Sequence, residues 1–167
     1  QEALPPAHGD TPRVIEEPQL PGPASSAARS PADHRAAIIP IHDEITDITR
    51  DSVRRRLKAL REQGITLVIL ELDTPGGMVT STLEICSDIR RVQDEGVKVY
   101  AWINDKAYSG GAIIALAAGG IIMASSATIG DSQMILMTPS GPSAVPEELQ
   151  AKMNSPLIAE LRDSARR

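Results

Sequence analysis

Along the chain the hydrophobic positions fall into two regimes, and the change comes near residue 37. Before it, Leu4, Val14, Ile15 and Leu20 are the only large aliphatic side chains. A segment so poor in them has no face to bury, so residues 1–36 are predicted to be a disordered proline-rich linker or tail. From Ala37 the pattern becomes that of a folded domain, expected to span residues 37–167. Ala37-Ala-Ile-Ile-Pro-Ile41 is a short apolar run suited to a strand, with Pro40 favouring a sheet edge. A helix follows, capped by Thr46 or Asp47, in which Val53, Leu57 and Leu60 recur at helical spacing until Gly64 stops it. Ile65 to Leu72 is near-continuously aliphatic, as in a strand covered on both faces. A second helix carries Ile85, Ile89 and Val92 and ends at Gly96. Val97–Ile103 reads as the third strand, Ser109–Ala118 as a helix of small residues, and Ile121–Ala124 as a short strand. After Pro146 a last helix is predicted, interrupted or restarted near Pro156, and the stretch 133–146 before it reads as a loop. Strand and helix alternate throughout, which predicts an α/β domain with a mostly parallel sheet and flanking helices.

Composition narrows what such a domain can do. The 167 residues include one Trp, two Tyr and no Phe, so no base-stacking platform is available, and a net charge of −5 offers no general field for phosphate backbones. Nucleic acid is therefore not expected as a partner. Arg54, Arg55 and Arg56 are read as a solvated helix face. Seven of the thirteen prolines lie between Pro5 and Pro31, reinforcing the tail assignment. The single Cys86 excludes an internal disulfide and a thiolate zinc site, and it reads as a small buried hydrophobe. The longest apolar stretch, Ala112–Ala124, is shorter than the roughly 20 residues a membrane span needs.

Two glycine-bearing turns are the candidates for chemistry: Asp73-Thr-Pro-Gly-Gly77 after the second strand and Tyr108-Ser-Gly-Gly111 after the third. In open α/β sheets that edge binds ligands, and glycines there let free N–H groups approach a developing oxyanion. Taken alone, Ser109 reads first as a helix cap, with a nucleophile as the second possibility. A nucleophile needs a base. Within the folded part the only histidine is His42, expected at the surface or in a turn, and the lysines are Lys58, Lys98, Lys106 and Lys152. Lys58 belongs to the arginine-rich face, Lys98 opens a strand, and Lys106 near Ser109 is expected to be too well solvated to lose its proton. Asp73 is expected to fix its turn by accepting backbone N–H bonds.

Ile39-Pro-Ile41, Leu70-Glu-Leu-Asp-Thr-Pro-Gly-Gly77 and Tyr108-Ser-Gly-Gly-Ala112 together resemble the NfeD-type membrane-associated serine proteases. These are relatives of signal peptide peptidase A in the ClpP/crotonase superfamily. The resemblance implies a ClpP/crotonase-like fold lacking its C-terminal elements, since members continue past the point matching Arg167 with another helix and a closing strand. It implies Ser109 as nucleophile, Lys152 as general base, the amides of Gly77 and Gly110 as oxyanion hole, and Gly76, Met78 and Tyr108 in substrate binding. No metal or organic cofactor is implied. The substrate would be a peptide or membrane-protein segment of hydrophobic character, with stomatin-like proteins among the partners. Self-association is expected, as is a membrane tether outside this chain that places the parent protein on the extracytoplasmic side. The rival readings are a catalytically silent scaffold module and a crotonase-type acyl-thioester enzyme.

Overall fold

The computed structural model describes residues 35–166; the predicted tail lies outside the described residues except for Arg35 and Ala36. Among the described residues four helices and seven strands follow one another as β1 (Ala36–His42), α1 (Asp47–Glu62), β2 (Leu67–Thr74), α2 (Val79–Asp94), β3 (Lys98–Tyr108), α3 (Gly110–Ala117), β4 (Ile121–Met123), β5 (Thr128–Gly130), β6 (Ile135–Thr138), β7 (Gly141–Ala144) and α4 (Glu147–Ser164). The main sheet has the order β1-β2-β3-β4, all parallel, and β5 extends it by pairing with the last residues of β3. The predicted mixed α/β architecture with a mostly parallel sheet is the one observed.

Its helices begin and end for local reasons. Thr46 is the N-cap of α1, accepting from the Thr49 backbone N–H while the Thr49 hydroxyl accepts from the Thr46 N–H, a reciprocal capping box. Gly64 and Gly96 close α1 and α2 with positive φ, and the next amide in each case reaches back into the last turn, Ile65 to Leu60 and Val97 to Val92. The inward stripes of α1 and α2, Val53, Leu57, Ile85, Ile89 and Val92, pack into one core with Val68, Leu70, Leu72 and Ile103 of the sheet. Helix α3 is buried almost all round, with Leu116 as its exposed side chain.

Several expectations are corrected. β2 is not sheathed on both faces: burial alternates along it, with Val68, Leu70, Leu72 and Thr74 inside and Leu67, Ile69, Glu71 and Asp73 half-buried. The same alternation in β3 leaves Tyr100 and Trp102 half-buried. Helices bury one face of this sheet fully, and aliphatic richness on the other face concealed the period of two. β3 also runs to Tyr108, beyond the predicted end at Ile103, so Lys106 is a strand residue. The predicted loop 133–146 contains an antiparallel hairpin, β6–β7, turning at Pro139-Ser140. Helix α4 runs unbroken through Pro156. A proline within a helix removes one i→i−4 hydrogen bond and leaves the rest, and burial of Leu157 and Glu160 just beyond it carries the helix across the defect.

Candidate active site

The C-terminal ends of β2 and β3 bring the two glycine turns into contact. Thr74, fully buried, organises the first: its hydroxyl accepts the Gly76 N–H at 3.0 Å and donates to the Asp43 carbonyl. Gly76 follows at φ +101°, where a β-carbon would stand 2.5 Å from the Ser109 β-carbon and 2.9 Å from the Tyr108 carbonyl. Only glycine permits this approach. Gly77 then forms an isolated parallel bridge with Ile45, in which the Ile45 N–H donates to the Gly76 carbonyl and the Met78 N–H to the Ile45 carbonyl, both at 2.8 Å. A β-carbon on Gly77 would lie 2.6 Å from the Ile45 nitrogen and closer still to its carbonyl oxygen. In such a bridge the intervening residue's own N–H points away from its partner strand. Among the described residues the Gly77 amide donates to no backbone or side-chain acceptor.

Ser109 sits where the second turn enters α3. Its backbone is at φ +49°, ψ −116°, a region sparsely used by non-glycine residues, and its amide donates to the Gly130 carbonyl at 2.9 Å. The hydroxyl makes no capping hydrogen bond to α3, so the helix-cap reading of Ser109 does not hold. What fixes the serine is the turn backbone, and its side chain is left for other work. Gly110 begins α3 with an N–H that has no acceptor among the described residues. It lies against the Thr82 hydroxyl of α2, so closely that a β-carbon would collide with it.

Two cavities meet at Ser109. A pit of about 60 Å³ is walled by Val79, Thr82, Ile113, Met134 and Leu157, with Gly77 and Gly110 at its rim. An open cleft of about 510 Å³ runs outward past Gly76, Met78, Glu44, Asp131 and Ile135. Met78 is thus placed as a cleft residue, and Gly76 beside it. Tyr108 lines neither cavity; its hydroxyl hydrogen-bonds that of Thr128 at 2.8 Å, tying β3 to β5. Lys152 lies on α4, exposed and lining neither cavity, whereas Leu157 of the same helix walls the pit. The structure therefore brings Ser109, Gly76, Gly77, Gly110 and Met78 together and leaves Lys152 exposed, outside the lining of both cavities.

The other candidates have other occupations. The Lys106 ammonium lies 3.0 Å from Asp73 and 3.3 Å from Asp105, and the hydrogen bond to Asp73 chiefly raises its pKa, so it stays charged. Asp73 contributes to the turn through its carbonyl, which accepts the Asp43 N–H, while its carboxylate faces Lys106 rather than backbone amides as expected. His42 approaches Glu71 at 3.6 Å on the half-open sheet face. Cys86 is buried with its thiol directed at the Ile113 carbonyl, and burial pushes its pKa far up, leaving no thiolate. No group of His, Cys, Asp and Glu among the described residues could hold a metal ion.

Sequence reasoning missed Thr74, Thr82, Ile45, Met134 and Ile135, the last two at the start of the hairpin. Thr74 was visible inside Asp73-Thr-Pro-Gly-Gly77. The others are brought in by tertiary packing and carried no local signal.

Comparison with known proteins gives this geometry its lineage. A family model described as NfeD1b, N-terminal domain, matches residues 35–167, and the chain belongs to that family. The membrane protein NfeD1b of Bacillus subtilis (strain 168) is 27% identical over 128 residues, covering 77% of this chain and 27% of that protein. Among solved structures, the 1510-N membrane-bound stomatin-specific protease in a serine-to-alanine variant is similar with TM-score 0.67 and 25% identity, covering 78% of this chain and 62% of that one. The same protease in a lysine-to-alanine variant with a substrate peptide gives TM-score 0.66 and 26% identity, covering 78% and 59%. The fold is the ClpP-like one of these proteases. This chain spans about a quarter of the curated relative's length and about three fifths of the solved chains. No helix among the described residues is long and apolar enough to cross a membrane.

Proposed function

We propose that this chain is a serine endopeptidase domain in which Ser109 is the nucleophile and Lys152 the general base. The observation that carries the reading is Ser109 itself. A serine held at positive φ, with its hydroxyl released from helix capping and two unengaged glycine amides beside it, has the arrangement acyl transfer requires. The solved relatives, a protease altered at one serine and at one lysine, support the same pair of residue types.

In this reading the Ser109 oxygen attacks the scissile carbonyl carbon as the neutral Lys152 amine takes its proton. The Gly77 and Gly110 N–H groups receive the negative charge on the carbonyl oxygen. Collapse of the tetrahedral intermediate breaks the C–N bond, and Lys152 returns the proton to the departing amine. Water then gives a proton to the same lysine and attacks the acyl carbon; the ester C–O bond to Ser109 breaks, Lys152 returns the proton to the Ser109 oxygen, and the acid leaves. The apolar pit and the cleft beyond it suit a hydrophobic peptide segment, with Gly76 and Met78 at the cleft and Tyr108 holding the turn from behind. Such segments are abundant in membrane-associated proteins, and because the solved relatives are stomatin-specific proteases, a stomatin-like protein is the partner to test. The reading further includes a membrane-tethered parent protein, for which the membrane relative speaks, with this domain placed on the extracytoplasmic side as part of the proposal. It includes self-association, supported by the apolar edge of Ile121, Ile122 and Met123 exposed on β4.

A fluorophosphonate probe tests the chemistry directly. Mass spectrometry should find the adduct on Ser109, and Ser109→Ala should lose both the adduct and hydrolysis of an apolar peptide. Absence of labelling on the folded chain would leave a scaffold or an acyl-thioester enzyme as the better account.

A further inference from the structure

Helix α4 passes beside Ser109 with the lysine turned outward. Its buried face consists of Leu157 and Glu160, with Met153, Asn154, Leu161 and Ser164 half-buried beside them. Those spacings of three and four make one helical stripe. At 3.6 residues per turn, Lys152 stands about 140° around the axis from Leu157. Leu157 walls the pit at the serine, while Lys152 faces solvent.

The two halves of the helix are held very differently. Beyond Pro156, Leu157 belongs to the core and Leu161 packs against it. There the buried Glu160 carboxylate is bound by Arg90 of α2, which also approaches Asp163 at 3.5 Å. Before Pro156, residues 147–152 are exposed, tied down at their start by Gln150 donating its side-chain N–H to the Val145 carbonyl. Pro156 divides the halves. Having no N–H, it leaves the Lys152 carbonyl without its i+4 donor, so the helix lacks a rung at the residue whose position is in question.

We infer that Pro156 is a hinge about which the N-terminal half of α4 swings, carrying the Lys152 amine to Ser109 while the half anchored by Leu157 and the Arg90–Glu160 pair stays docked. The inference rests on the Ser109 and Lys152 reading above. The described arrangement is then the open position of the arm. Lysine suits the task, because its flexible four-carbon stem adds reach to the swing. Pro156 does not touch substrate; it is a positioning residue that acts through Lys152.

Pro156→Ala on the full chain tests this, because it restores the Lys152 carbonyl bond and stiffens the arm. A purely structural proline predicts a more stable and equally active protein. The hinge predicts a higher melting temperature together with fluorophosphonate labelling of Ser109 and peptide turnover slowed about tenfold or more, since hinge residues govern the assembly of catalytic groups. Pro156→Gly, which restores the N–H but keeps backbone freedom, should recover most of the parent rate. An alanine variant that melts higher and labels as fast as the parent overturns the hinge, as does one that does not melt higher. Ser109→Ala separates the two inferences. If it still hydrolyses peptide, the reading of the site has failed; if it is inert while Pro156→Ala is fully active, the hinge alone has failed.

Discussion

Replacing Ser109 by glycine should abolish activity and make the protein more stable. A non-glycine residue at φ +49°, ψ −116° bears local strain of about 1–3 kcal/mol. The serine hydroxyl makes no capping bond that would offset this, and the anchoring contacts of the residue, its amide to the Gly130 carbonyl and its carbonyl to the Ile113 amide, belong to the backbone and survive the change. Against the relieved strain stands the extra freedom glycine gives the unfolded chain, about 0.5–1 kcal/mol. The net gain is about 1 kcal/mol, or a rise of about 3–5 °C in Tm for a domain of this size. Ser109→Ala is the matched control, since alanine carries the same β-carbon into the same backbone, and its stability should stay within about 0.5 kcal/mol of the parent. Urea unfolding of the three proteins, followed by circular dichroism, measures the differences. If the glycine variant is no more stable than the alanine variant, Ser109 is not strained, and the view that the turn holds its nucleophile by backbone tension is wrong.

Gly77→Val should break the Ile45 bridge, whose two hydrogen bonds are worth about 1 kcal/mol each, and misdirect the Gly77 amide, lowering kcat about a hundredfold in peptide assays. A variant that folds with parental kcat would remove Gly77 from the oxyanion hole. Lys152→Arg should be as inactive as Lys152→Ala, because a guanidinium does not release its proton; activity retained by either variant would exclude Lys152 as the base. Glu160→Ala should destabilise the fold by about 3 kcal/mol, since it leaves Arg90 partly buried without its main counter-charge, and a loss below about 1 kcal/mol in urea would show that α4 is docked by Leu157 and Leu161 alone. Lys106, whose pKa is raised by Asp73, should contribute its ion pair throughout the neutral range and lose it only as pH climbs beyond 10.5 and through the raised value. The difference in Tm between parent and Lys106→Met should therefore be flat from about pH 6 to about pH 10 and shrink only as pH passes 10.5; a decline already at neutral pH would contradict the pairing.

What could be read from residue order and what could not divide along a physical line. The parallel core, the caps of α1 and α2, and the two glycine turns are specified locally: Thr46 needs only Thr49, and Gly64 needs only the turn it closes. The site residues on those turns were legible for the same reason, since Gly76 and Ser109 meet wherever β2 and β3 are neighbours in a parallel sheet. The one-sided burial of the sheet was not legible, because Leu67, Ile69, Tyr100 and Trp102 are apolar on the half-open face as well and erase the alternation. The β6–β7 hairpin turns at Pro139-Ser140-Gly141, with Gly141 at positive φ, but Pro142 directly after it argues against a strand, so the turn could be read and the pairing on either side of it could not. Lys152 is the instructive case. Sequence places it on the last helix, and it is there, but the rotation of a helix about its axis is decided by whatever its apolar and charged stripe finds to bury against. In α4 that stripe is Leu157, Glu160 and Leu161, and their partners, the core and Arg90, lie some seventy residues away in the chain for the ion pair. A motif can name the residue that ought to meet the serine. Which way that residue faces is settled by contacts the motif does not contain, and here those contacts turn it to solvent, so the dyad proposed above requires the movement inferred at Pro156.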